Sequence, residues 1–122
     1  MYKPRRMHIV IDVDETITAK PMFFSWLAGA LRRDGHRVTI LTVRRDREDT
    51  MRLLARHEVS YDRLETPPDG VMEALKWKIL RAKELAPDIL FDDCVDVANA
   101  AGLNTLALVP RDPELGRLDY VD

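Results

Sequence analysis

The sequence predicts an α/β domain built on a doubly wound, open parallel sheet with helices on both faces. Two observations lead there. Short runs rich in Ile, Val and Leu, such as His8 to Val13 and Arg37 to Val43, are apolar without alternation, as expected of strands covered on both faces. Between them lie stretches with helical spacing on short connections, which implies right-handed crossovers from strand to parallel strand. A chain of 122 residues has room for one domain, with a core over about residues 7–109.

The first strand is expected over Met7 to Val13 and ends in the polar run Asp14-Glu15-Thr16. Pro21 opens a helix whose apolar residues Phe23, Leu27 and Leu31 recur at intervals of four, and Asp34-Gly35 stops it. Arg37 to Val43 follows as the second strand, then a charged helix over Asp46 to Glu58 with Met51, Leu54 and Ala55 inward. Val59-Ser60-Tyr61 reads as a brief third strand, and Pro67-Pro68-Asp69-Gly70 as a turn. A helix is expected from about Val71 to Ala86, a strand over Ile89 to Asp92, a helix over Val95 to Ala101 closed by Gly102, and a last strand over Thr105 to Val109. Residues 110–122 are polar and aperiodic and read as a loose tail.

Composition narrows the function classes. Hydrophobic residues at 46% and charged residues at 33% fit a globular protein rather than a disordered one. With 19 Lys+Arg against 21 Asp+Glu the net charge is −2, which argues against general nucleic-acid or membrane-surface binding and leaves room only for a local basic patch. The apolar run behind the basic N-terminus is too short for a signal-peptide core, and no stretch approaches the ~20 apolar residues that span a bilayer. The lone Cys94 cannot form an internal disulfide, so the expected compartment is reducing and cytoplasmic.

Ligands of open parallel sheets bind at the carboxyl ends of the strands. The residues there are Asp12 and Asp14, Thr42, and Asp92 and Asp93. If those acids converge, two carboxylates about 5 Å apart repel by roughly 3 kcal/mol at an effective dielectric of 20, so the cluster needs protons or a cation. An oxygen-only donor set suits Mg²⁺, whereas the scattered His8, His36 and His57 offer no zinc pattern.

These residues carry a resemblance. Ile9 to Thr16, with Asp12-Val13-Asp14-Glu15-Thr16, resembles the DxDxT motif of the haloacid dehalogenase (HAD) superfamily of phosphohydrolases. Val38 to Thr42 is similar to its second motif, a lysine in the helix before Ile89 to its third, and Ile89-Leu90-Phe91-Asp92-Asp93 with Asp96 to its fourth. The resemblance covers about residues 9–109 in the family's order and implies a Rossmann-like HAD core. It implies Asp12 as the nucleophile of a phosphoaspartate and Asp14 as general acid and base. Mg²⁺ would be held by Asp12, the Asp14 backbone carbonyl and Asp92, with Asp93 or Asp96 assisting. Thr42 and the lysine would meet the phosphoryl group, and Thr16 and Arg44 are further candidates for binding substrate, with Arg45 beside them.

For the lysine, an apolar helix face of Val71, Leu75, Ile79, Ala82 and Ala86 puts Lys78 about 60° from the face centre and Lys76 about 100° away. Lys78 is favoured, and Lys76 takes the role if the helix starts later. Cys94 reads as a small buried thiol.

The intervals from Asp12 to Thr42 and from Thr42 to Lys78 are already filled by predicted elements, so no cap domain is expected. The open site then suits a bulky phosphorylated substrate, a polynucleotide end or a phosphoprotein, or a small ester if a second copy of the chain covers it. Met22, Phe23, Phe24 and Trp26 are either core or an apolar flap beside it. Two other readings are a receiver-like phosphoryl-accepting module, which would place its acid pair first rather than last, and a catalytically silent HAD-like binding protein, which should lack a key residue.

Overall fold

The computed structural model describes residues 5–102 and 104–110. Its five strands are β1 (His8–Ile11), β2 (Arg37–Leu41), β3 (Arg63–Glu65), β4 (Ile89–Phe91) and β5 (Leu106–Leu108), all parallel in the order β3-β2-β1-β4-β5. The helices are α1 (Pro21–Arg33), α2 (Arg47–Arg56), α3 (Ala74–Leu85) and α4 (Val95–Ala100). The fold is therefore the expected parallel α/β, Rossmann-like sheet, with no cap domain among the described residues.

Each face of the sheet has its own core. Ile9, Ile11, Val38, Ile40 and Leu64 pack with Phe24, Ala28 and Leu54 on the face covered by α1 and α2. Val10, Leu41 and Leu90 pack with Ala82, Val97 and Ala101 on the face covered by α3 and α4. Successive strand residues thus go to opposite cores, which explains why β1 is apolar from Ile9 to Ile11. Asp46 caps α2 by accepting the Asp49 N–H at 2.9 Å. The positive φ angles of Gly35 (87°) and Gly102 (105°) end α1 and the α4 segment where glycine was expected to do so.

Several expectations shift. Val59-Ser60-Tyr61 is not a strand: Glu58 turns left-handed (φ 56°), the Val59 N–H closes α2 on the Leu54 carbonyl, and sheet pairing begins only at Arg63. α1 buries Phe24 and Ala28 while Phe23 is exposed, one residue out of phase with the predicted face. Phe24 meets Phe91 edge to face at 5.2 Å and belongs to the core, whereas Met22 and Trp26 lie on the surface. α3 begins at Ala74 rather than Val71 because the Val71 and Met72 carbonyls accept hydrogen bonds from Arg45. Its buried residues are Lys78 and Ala82, and Leu75 is exposed. The predicted tail lies outside the described residues from position 111 onward.

Candidate active site

The order β3-β2-β1-β4-β5 puts the chain's reversal of direction between β1 and β4, the place where parallel sheets bind ligands. Asp12 directly follows β1, and its N–H still donates to the Phe91 carbonyl at 2.9 Å. Asp92 follows β4 in the same way and donates to the Leu108 carbonyl. Two acids are therefore fixed side by side by the ladder, before any side-chain contact is made.

Both are buried, Asp12 at 4% and Asp92 at 1% exposure, and between them lies the equally buried Lys78. The Lys78 Nζ donates to Asp12 Oδ1 at 2.6 Å and approaches Asp92 Oδ2 at 2.8 Å. The second approach is a buried ion pair, and among the described residues Asp92 Oδ2 has no other polar partner. Asp92 Oδ1 accepts the Cys94 N–H at 2.8 Å, and Asp12 Oδ2 accepts the Thr16 hydroxyl at 3.2 Å.

Asp93 completes the group. One carboxylate oxygen each from Asp12, Asp92 and Asp93 lies within 4.8 Å of the others. Three acids, two buried and Asp93 exposed, stand against one ammonium, and among the described residues the only charged partner of the buried Asp92 Oδ2 is Lys78. An all-oxygen donor set of this kind fits a hard divalent cation such as Mg²⁺.

The electrostatics follow from burial. Desolvation pushes the Asp12 carboxyl up, Lys78 pulls it down and Asp92 pushes it up again, leaving it at about 7. Asp92 is raised as well, burial again dominating over Lys78 and the Cys94 N–H. Burial disfavours the Lys78 ammonium, but Asp12 and Asp92 together more than offset it, and its pKa rises. A pH prediction results. The unfolded chain releases the Asp12 proton near 3.8, whereas the folded, metal-free protein keeps it to about 7. The stabilising proton is fully present below that window and lost as pH rises through it. In EDTA, the stability of the wild type relative to Asp12→Asn should fall steadily between about pH 4 and 7. A difference that stays flat or rises in urea unfolding at several pH values would contradict the assignment.

The turn after β1 carries the other motif residues. Asp12 and Asp14 are extended, Glu15 is left-handed (φ 62°), and the Thr18 N–H closes the loop on the Val13 carbonyl. A left-handed glutamate carries strain of about 1–2 kcal/mol. The Thr18 hydroxyl accepts the Glu15 N–H at 2.9 Å and helps to hold it. Asp14 lies outside the three-acid group: half-exposed, it pairs with Arg44 at 3.0 Å. Thr16 lies on Asp12 itself.

Thr42 is buried past the end of β2, where its N–H donates to the Glu65 carbonyl and its hydroxyl accepts the Arg44 N–H at 3.1 Å. Arg44 is heavily engaged, donating to Asp14, Asp49 and Thr50, so it positions Asp14. Arg45 holds the 71–72 backbone. Lys76 is on the surface with Glu73, and Asp96 is exposed in the first turn of α4, outside the acid group. Cys94 is a half-buried free thiol whose backbone N–H, not its sulfur, serves the site. That contact went unread because a backbone donor leaves no mark on residue type.

No family model and no curated protein matches the sequence. Two solved structures are similar to it in fold. A chain of "Structure of the Pnkp1/Rnl/Hen1 RNA repair complex" superposes with a TM-score of 0.67 at 17% identity, covering 89% of this chain and 45% of that one. A chain of "Structure of Pnkp1/Rnl/Hen1 complex" gives 0.64 at 18% identity, with 88% and 47% covered. The chain thus spans less than half the length of either, and the likeness is one of parallel α/β architecture. Among the described residues no helix is long and apolar enough to cross a membrane.

Proposed function

We propose that this protein is a Mg²⁺-dependent phosphomonoester hydrolase of the HAD type, working through a phosphoaspartate on Asp12. The observation that carries the reading is the buried Lys78 ammonium between Asp12 and Asp92, with Asp93 alongside. A salt bridge alone would need one carboxylate. Three acids around one lysine suit a site that receives further positive charge and a phosphoryl group.

Asp12, Asp92 and Asp93, with the Asp14 carbonyl that the family resemblance adds, would hold the ion. Bound there, it would neutralise charge on the phosphoryl oxygens. In the first half of the reaction an Asp12 carboxylate oxygen attacks phosphorus, the ester P–O bond breaks, and Asp14 gives its proton to the leaving oxygen. In the second half the Asp14 carboxylate takes a proton from water, whose oxygen attacks phosphorus and releases inorganic phosphate and Asp12. Lys78 would hold the attacking carboxylate in line, and Thr42 would bind a phosphoryl oxygen. Arg44 pairs with Asp14 at 3.0 Å, and that carboxyl would leave the pair to reach the leaving oxygen.

The open edge admits a polynucleotide end, a phosphoprotein or a small ester, and the RNA repair setting of the two structural neighbours is compatible with the first. A reducing, cytoplasmic setting suits the free Cys94 thiol. The test is hydrolysis of an aryl phosphate with Mg²⁺, abolished by EDTA. Mg²⁺ at about 100 times its Kd should also stabilise the fold by roughly 2.7 kcal/mol in thermal unfolding, and Asp93→Ala should blunt that gain. EDTA-resistant hydrolysis, or no shift on adding Mg²⁺, would contradict the metal reading.

A further inference from the structure

Resting on this phosphohydrolase reading, we propose that the cleft between the end of β3 and α3 is the subsite for the non-reacting part of the substrate, and that this part is a single-stranded nucleic acid. The cleft has a volume of about 410 Å³, and its lining includes Arg47, Arg63, Glu65, Thr66, Trp77 and Arg81. Three guanidinium groups, one carboxylate and the exposed part of a half-buried indole that packs on the core thus meet there.

Register places the cleft beside the reacting centre. Glu65 pairs with Leu41, and β2 pairs in turn with β1, which leads into Asp12. Two strand spacings of about 4.8 Å put Glu65 roughly 10 Å from Asp12, a nucleotide's length away. Both side chains project to the α3 face, since Lys78 meets Asp12 and Arg81, one turn further along, meets Glu65 through two hydrogen bonds of 2.5 and 3.0 Å. Trp77 adjoins Lys78 in the chain, so the indole and the lysine come from the same turn of α3.

The guanidinium groups keep donors for a ligand. Arg47 spends one N–H on the Leu64 carbonyl at 2.7 Å, and Arg63, 57% exposed, comes no nearer to Glu65 than 3.8 Å. Each guanidinium has five N–H donors, enough to serve these contacts and a phosphodiester as well. Arginines interleaved with an aromatic ring are the chemistry of single-strand recognition, in which phosphates meet guanidinium groups and a base stacks on the ring. A phosphopeptide calls for arginines without the indole. With a net charge of −2 for the whole chain, attraction for a polyanion depends on a local cluster of this kind.

The chain has two tryptophans, so Trp26→Phe leaves Trp77 as the sole indole reporter. In that protein, in EDTA so that no turnover contributes, a single-stranded oligonucleotide without a terminal phosphate should quench Trp77 fluorescence saturably. Affinity should fall as salt rises, and Arg63→Ala should weaken it roughly 5-fold or more and flatten the salt dependence. The same Arg63→Ala change should leave turnover of a small aryl phosphate unaltered. Absence of quenching, equal affinity in Arg63→Ala, or preferential quenching by a phosphoserine peptide would overturn the proposal. Oligonucleotide binding at Trp77 in a protein that hydrolyses no monoester would contradict the reading of Asp12 and the subsite role, leaving the cleft's ligand standing. Hydrolysis without that binding would overturn the cleft alone.

Discussion

Asp12→Asn should lower Mg²⁺-dependent hydrolysis by on the order of 10⁴-fold or more while leaving the protein folded. The size follows from removing a nucleophile, since loss of the attacking group in other covalent hydrolases costs on the order of 10⁶ in kcat. Folding should survive because the amide is isosteric. Its oxygen can accept the Lys78 donation made to Oδ1, and the Thr16 hydroxyl, now a donor to Oδ2, can rotate to accept from the amide NH₂. The variant also loses the cost of holding a buried charge, so in EDTA above pH 7 its stability relative to the wild type should be more favourable than at pH 4. Steady-state assays with an aryl phosphate and circular dichroism on the same preparation check both halves. Activity retained within about tenfold would remove Asp12 from the role of nucleophile.

The second large effect concerns Lys78. Lys78→Met removes the one ammonium held between Asp12 and Asp92 and leaves two buried carboxylates facing each other. Breaking a buried ion pair from one side costs about 3–5 kcal/mol, because the surviving charge is left without its partner. Part of that cost should be relieved at pH 5, where Asp12, already raised to about 7 beside the lysine, would be protonated without it. Urea unfolding in EDTA at pH 8 and pH 5 should therefore show a large loss at the higher pH and a smaller one at the lower. A loss under about 1 kcal/mol at both would mean that the lysine is not what holds the acids together. Lys78→Arg should not restore activity, since a planar fork cannot replace a compact ammonium between two oxygens.

What could be read from residues alone divides along a physical line. β1, β2 and β4 were legible because parallel strands buried on both faces are apolar at most positions, and each run stops on an acid or a hydroxyl at the ligand-binding edge. The meeting of Asp12, Asp92 and Asp93 follows from that placement. Lys78 was reached through an apolar face that the fold does not use as drawn: Leu75 is exposed, and the buried line runs through Lys78 and Ala82. The lysine itself turns α3, recruited by carboxylates from two strands, one of them 66 residues away in the chain. Helical spacing has no access to such a partner.

The same reason accounts for the contacts that residue type alone does not reveal. Arg44 and Arg45 follow Thr42, and their contacts to Asp14, Asp49 and the 71–72 backbone could not be read from residues because those partners are defined only by the folded loops. Val59 looked like strand because it is apolar and β-branched, yet it is consumed in closing α2. Thr16, a candidate for binding substrate, hydrogen-bonds the proposed nucleophile, a position set by the left-handed turn at Glu15 that no propensity favours. The Arg63–Trp77 cleft joins residues of an edge strand and a helix that only the register of β3 on β2 brings together.

The central claim is that Asp12 is transiently phosphorylated as an acyl phosphate, and acid-quenched peptide mass mapping of Asp14→Asn reads it directly. An aryl phosphate with a good leaving group needs no acid for the first half-reaction, whereas the second half-reaction still needs a base, so the intermediate should accumulate in this variant. The account predicts a phosphoryl adduct on the Asp12 peptide, absent from Asp12→Asn and lost on incubation at alkaline pH. Turnover of the same substrate with no adduct on that peptide at any quench time would contradict it.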